Sequence, residues 1–165
     1  MKKSLRFSFT DIFIFKPFLK KHQTTVYRFC YLLVNDPSIA EEITGKVFVT
    51  IYQKGNIRKI DSFLLYQQLI GCLEEFFLTK RGKIRSRMQA VQGDSSLMNN
   101  AVCLLSTEDR IILGLAHVCS LPIEVISSLL DVPKQEVKKS LYQSREFLTD
   151  FLNEKRIREQ LPLLS

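Results

Sequence analysis

An apolar helical pattern over residues 123–130 stops at Asp131-Val132-Pro133 and restarts at once with lysines. Proline removes an amide donor and collides with the turn before it, so one continuous buried helix does not carry Pro133 well. The stretch "LPIEVISSLLDVPKQEVKKSL" therefore reads as two helices around a tight turn. Val125, Ile126, Leu129 and Leu130 form the inner face of the first, and Asp131 suits the left-handed backbone that such a connection needs. In the second, Val137, Leu141 and Leu148 share one side. At about 100° per residue, Gln135, Lys138, Lys139 and Tyr142 fall on the other.

A helix pair of this shape can set the first turn of its second helix against base edges in the major groove, while lysines at the rim meet phosphates. Lys134, Gln135, Lys138, Lys139 and Tyr142 are then the candidate DNA contacts, with Gln135 as the base reader. The competing reading is a helical hairpin in a bundle whose lysines are merely solvated. A net charge of +7 favours an anionic partner, nucleic acid or an acidic surface.

Cys30, Cys72, Cys103 and Cys119 are widely spaced, with no CxxC and only His22 and His117 to assist. Neither a zinc site nor a disulfide framework follows, and reduced cysteines acting as small apolar residues are expected. The opening "MKKSLRFSFTDIFIFKPF" is basic and then apolar, but Asp11 and Lys16 break the run and no small-residue cleavage site follows. A soluble, cytoplasmic protein is the expectation.

Periodicity points to an all-α chain of two small domains. Helices are expected from Pro17 to Asn35-Asp36-Pro37, from Ser38 to Tyr52, and after a cap at Asp61 or Ser62, giving a first unit over residues 1–82. Residues 83–100 lose the apolar rhythm and gather Gly, Ser, Asn and Gln, which reads as a polar linker. Residues 101–165 form the second unit, opening with a helix at Thr107, Glu108 and Asp109 that carries Ile111, Ile112, Leu115 and Val118.

With both units in view, the chain resembles a bacterial RNA polymerase sigma factor of the extracytoplasmic-function type. "VYRFCYLLVNDPSIAEEITGKVFVTIY" resembles that family's second conserved region through Tyr27, Phe29, Asp36, Pro37, Ala40, Glu41, Ile43, Val47, Phe48 and Tyr52. "LSTEDRIILGLAHVCSLPIEVISSLLDVPKQEVKKSLYQSREFL" resembles the fourth, whose helix-turn-helix reads the minus-thirty-five element, through Leu105, Arg110, Glu124, Ile126, Leu130, Val137, Lys138, Leu141, Arg145 and Leu148. The resemblance implies core RNA polymerase and promoter double-stranded DNA as partners, with an anti-sigma factor as a further one.

Departures from the pattern bear on function. Where the family faces the polymerase clamp with Asp, Gln and an acid, this chain has Glu42, Gly45 and Lys46. Asp36, Glu41, Glu42 and Lys46 are the candidate polymerase contacts on this surface. In the third helix, two registers put either Leu73 or Ile70 at the family's Asn position, and Phe77 or Glu74 at the acid position.

Lys80, Arg81, Lys83 and Arg85, followed by Arg87, supply a basic run suited to phosphates near the minus-ten element, or to a solvated linker start. Tyr66, Phe76 and Phe77 could stack on an unpaired base, although such residues more often belong to a core.

Gly45-Lys46 is followed by Val47, so no phosphate-binding loop is formed. Nothing supports a Ser/His/Asp or Cys/His arrangement, and no cofactor, metal or small-molecule substrate is expected. Three functions remain at this level: a divergent, non-enzymatic initiation factor; a degenerate sigma-like regulator that needs a partner; and an all-helical protein-interaction module.

Overall fold

The computed structural model describes the backbone of residues 9–54, 60–90 and 97–160 and the side chains of residues 13–54, 60–77 and 97–155. The described residues are organised as seven helices with no strand: α1 (Phe9–Val34), α2 (Pro37–Gln53), α3 (Ser62–Ala90), α4 (Leu97–Leu104), α5 (Thr107–His117), α6 (Ile123–Leu130) and α7 (Lys134–Gln160).

The break between α1 and α2 is written into three residues. Asn35 takes the left-handed conformation at φ 48°. Asp36 then caps α2, its carboxylate accepting from the Ile39 amide at 3.0 Å, and Pro37 occupies the first turn, where a missing N–H costs nothing. Asp61 does the same for α3, accepting from the Leu64 amide at 2.8 Å.

Two helix limits differ from the sequence expectation. Pro17 lies inside α1 rather than opening it. Its neighbours hold that turn in place: Phe15 and Phe18 pack on Phe48, and Phe15 also on Tyr52, with ring centroids 5.1–6.4 Å apart.

The second difference is in α3, which continues through residues 83–90, while α4 already includes residues 97–100. Much of the expected linker is therefore helical. Lys, Arg, Met, Gln and Ala are good helix formers, so α3 propagates on intrinsic propensity where there is no apolar stripe to detect.

Val26, Phe29, Cys30 and Leu33 of α1 pack with Ile43, Val47 and Ile51 of α2 and with Leu65, Leu69 and Leu73 of α3. The last four helices gather around Ile112, Leu115, Ile126, Val137 and Leu141. These two sets join in one continuous core.

The seam between them is tight. A Cβ on Gly114 of α5 would stand 2.7 Å from Cδ2 and Cε2 of Phe29 and 3.1 Å from Cδ2 of Leu32. Beside it, the Arg110 guanidinium, only 7% exposed, donates from Nη1 to the Leu33 carbonyl at 2.9 Å. That bond satisfies an orphan carbonyl in the last turn of α1. The Tyr66 hydroxyl of α3 hydrogen-bonds the Cys119 thiol, and α6 packs directly on α3.

Candidate nucleic-acid interface

The α6–α7 turn has the geometry that its sequence demands. Asp131 is left-handed at φ 53° and ψ 44°, with its amide donating to the Ser127 carbonyl. Ser127 staples the turn from the other side, its hydroxyl donating to the Val132 carbonyl at 2.6 Å. Pro133 stands just before α7, and its carbonyl accepts from the amides of Glu136 and Val137 at 2.9 and 3.2 Å.

The inner face of α7 is set by Val137 and Leu141, both buried, and by half-buried Leu148. Asp109 adds a polar anchor, accepting at 2.5 Å from the hydroxyl of Ser140 while its own amide is capped by Ser106 at 3.0 Å. Asp109 thus ties the start of α5 to the second turn of α7. Neither Ser127 nor Asp109 was singled out as part of this site from the sequence; a Ser four residues before a left-handed Asp is the signal for the first.

Lys134, Gln135, Lys138, Lys139 and Tyr142 are all exposed along the outer face of α7. Lys134 sits 3.5 Å from Glu124 of α6, whose carboxyl is held below its usual range first by a backbone hydrogen bond and then by Lys134. Tyr142 is 66% exposed and donates to Glu146 at 3.1 Å. Farther along, Arg145 contacts Nε2 of His117 at 3.1 Å.

Lys80, Arg81, Lys83 and Arg85 lie on the helical backbone of α3, and their side chains are outside the described residues. Of the three aromatic candidates for base stacking, Tyr66 and Phe76 belong to the core and Phe77 is half-buried against it. Burial pushes the Tyr66 hydroxyl up to about 12. Leu73 is fully buried and Ile70 nearly so, so neither register presents a side chain at the family's Asn position to solvent.

On α2, Glu41, Glu42, Gly45, Lys46 and Val49 make a continuous exposed strip. Lys46 is paired with Glu75 of α3 at 2.8 Å, an ion pair open to water on both sides. Glu75 holds the Lys46 ammonium above its usual range. Gly45 has nothing within 4 Å of where a Cβ would stand, and Val49 is 53% exposed. Asp36 is partly buried, its carboxylate engaged in capping α2.

Burial pushes the Cys30 and Cys119 thiols up to about 12, which keeps both protonated at neutral pH. Among the described residues, no three metal-ligating side chains come together, and no helix is long and apolar enough to cross a membrane.

No protein-family model matches the sequence, and no curated protein matches it. Among solved structures, the chain is similar to the sigma factor RpoE of Bartonella quintana, determined in complex with the anti-sigma factor NepR. The TM-score is 0.66 at 18% identity, over 84% of this chain and 96% of that one. The chain has a sigma-factor-like, all-α fold.

Proposed function

We propose that this protein is a non-enzymatic transcription initiation factor of the sigma type, acting in the cytoplasm on core RNA polymerase and promoter DNA. The observation that carries the proposal is the fold match, which takes in 96% of a sigma factor's chain. The two sequence regions that resemble the family follow one another in the family's order along the chain.

In this reading residues 1–82 and 101–165 act as two functional units. The strip with Glu41, Glu42 and Lys46, braced by Asp36, docks on polymerase. Lys80, Arg81, Lys83 and Arg85 hold phosphates near the start site. Lys134, Gln135, Lys138, Lys139 and Tyr142 engage the upstream element, where lysine contacts supply affinity and Gln135 supplies sequence preference. The similar sigma factor was solved with an anti-sigma factor, and a protein of that kind is the expected regulator here.

A second reading is a sigma-like regulator that binds but starts transcription only with a partner. The burial of Leu73 and Ile70 and the Lys46–Glu75 pair favour it, since neither residue at the family's Asn position faces solvent and a paired lysine stands where the family has an acid.

The deciding experiment is co-elution of the purified protein with core RNA polymerase, followed by transcription from genomic DNA. A complex with discrete start sites is the expected result. A complex without starts selects the second reading, and no complex overturns both.

A further inference from the structure

The start of α1 has a surface that the proposed function does not use. Phe13 is 75% exposed and Ile14 36%. The other side of the same turns, with Phe15, Phe18 and Leu19, packs on the core, which holds the exposed pair in water. Lys16, Lys20 and Lys21 are exposed as well. At about 100° per residue Phe13 lines up with Lys20 and Ile14 with Lys21, each lysine about 10 Å farther along the helix axis. From Phe13 to Asn35 the sequence has no acid, and residues 1–8 add Lys2, Lys3 and Arg6 with none.

The neighbouring elements add little negative charge at this end. Phe15 and Phe18 meet Phe48, and Phe15 meets Tyr52, so the start of α1 runs beside the end of α2, where residues 47–54 carry no Asp or Glu. Lys54 reaches Gln68 of α3 at 2.7 Å, which brings the first turn of α3 to the same end. There Phe63 is 41% exposed, and Asp61 has its carboxylate on the Leu64 amide. Asp11 precedes the patch in sequence, with its side chain outside the described residues. A single exposed apolar residue is ordinary, but three at one end of a bundle with lysines around them mark an interaction surface.

We propose that the start of α1 is a reversible docking site for an anionic lipid surface, with Phe13 and Ile14 entering the headgroup region and Lys16, Lys20 and Lys21 meeting lipid phosphates. An apolar tip that sinks about 5–10 Å into such an interface leaves ammonium groups about 10 Å up the helix at headgroup level. An intact DNA duplex would use the lysines and leave Phe13 and Ile14 in water, whereas a lipid surface uses both. No described helix is long and apolar enough to cross a bilayer, so the attachment is peripheral, and salt screens its electrostatic part. The inference goes beyond the sigma-type reading and does not depend on it.

The test is flotation of the full-length protein with vesicles of equimolar phosphatidylglycerol and phosphatidylethanolamine, with phosphatidylcholine vesicles as the uncharged control. Binding is expected to the anionic vesicles alone, and to weaken as salt is raised. Phe13→Ser combined with Ile14→Ser is expected to lower it by about tenfold, with helical circular dichroism and duplex affinity unchanged. Lys20→Gln combined with Lys21→Gln is expected to lower it by about tenfold as well. The chain has no tryptophan, so Phe13→Trp supplies a single reporter, whose emission should shift to the blue on anionic vesicles.

Vesicle binding that survives the serine substitutions would overturn the proposal, because net charge alone would then draw the protein to lipid. Absence of binding to anionic vesicles would overturn it too. In that case a concentration-dependent dimer that the serine variant loses would assign the face to a second copy of the chain, and weaker binding of the serine variant to core polymerase would assign it to that enzyme. Failure to bind polymerase, with vesicle binding intact, would count against the sigma-type reading alone.

Discussion

Asp36 shows how one side chain can carry two readings. In the sequence it falls on the motif that faces polymerase, whereas in the fold its carboxylate is held by the Ile39 amide at the start of α2. A capping carboxylate orders the helix that presents Glu41, Glu42 and Lys46, so it can serve the docking strip without touching a partner. Asp36→Ala is expected to lower unfolding stability by about 1 kcal/mol, and Asp36→Asn by much less, because both native side-chain types cap well. Urea denaturation of the three proteins checks this. The sequence makes Asn35-Asp36-Pro37 legible as a break between two helices, but it does not distinguish a cap from a contact, since both place an exposed-looking acid before an amphipathic run. Lys46 was legible as a charge reversal, while its pairing with Glu75 on another helix was not.

At the level of helices, the strongest signals were residues with unusual backbone demands. Asp131 and Asn35 take the left-handed conformation that their turns require, and α6 and α7 are divided where Pro133 demands it. What escaped was helix inside a polar stretch: residues 83–90 continue α3 with no apolar stripe, and the first half of α4, residues 97–100, lies where composition suggested a linker. Gly45 poses the converse puzzle, a glycine in the exposed middle of α2 with open space around it. Replacing it with alanine is expected to raise stability by about 1 kcal/mol, the usual difference between these residues in a helix interior. Thermal or urea unfolding measures that gain. If the strip docks on polymerase by close helix-to-helix approach, the same variant should bind core enzyme more weakly although it is more stable.

For the molecule as a whole, the charge distribution gives a quantitative expectation. If Lys134, Lys138 and Lys139 each neutralise a phosphate, duplex affinity should fall with salt at a log–log slope of about −0.9 per contact, roughly −2.7 for the three. Anisotropy titrations from low to physiological salt measure it, and a flat response would favour a protein-interaction module. The all-α class was legible from periodicity because the core-facing stretch of most helices carries its own stripe. The seam was not, because Gly114, Arg110 and Phe29 look ordinary within their own helices and acquire meaning only when paired; Arg110 and Leu33 are 77 residues apart in the chain. The fit of Phe29 over bare Gly114 also constrains ancestry. The two positions should drift as a couple, with a larger residue at 114 accompanied by a smaller one at 29, so the history of this contact should be readable as covariation wherever α5 packs on α1 in this way.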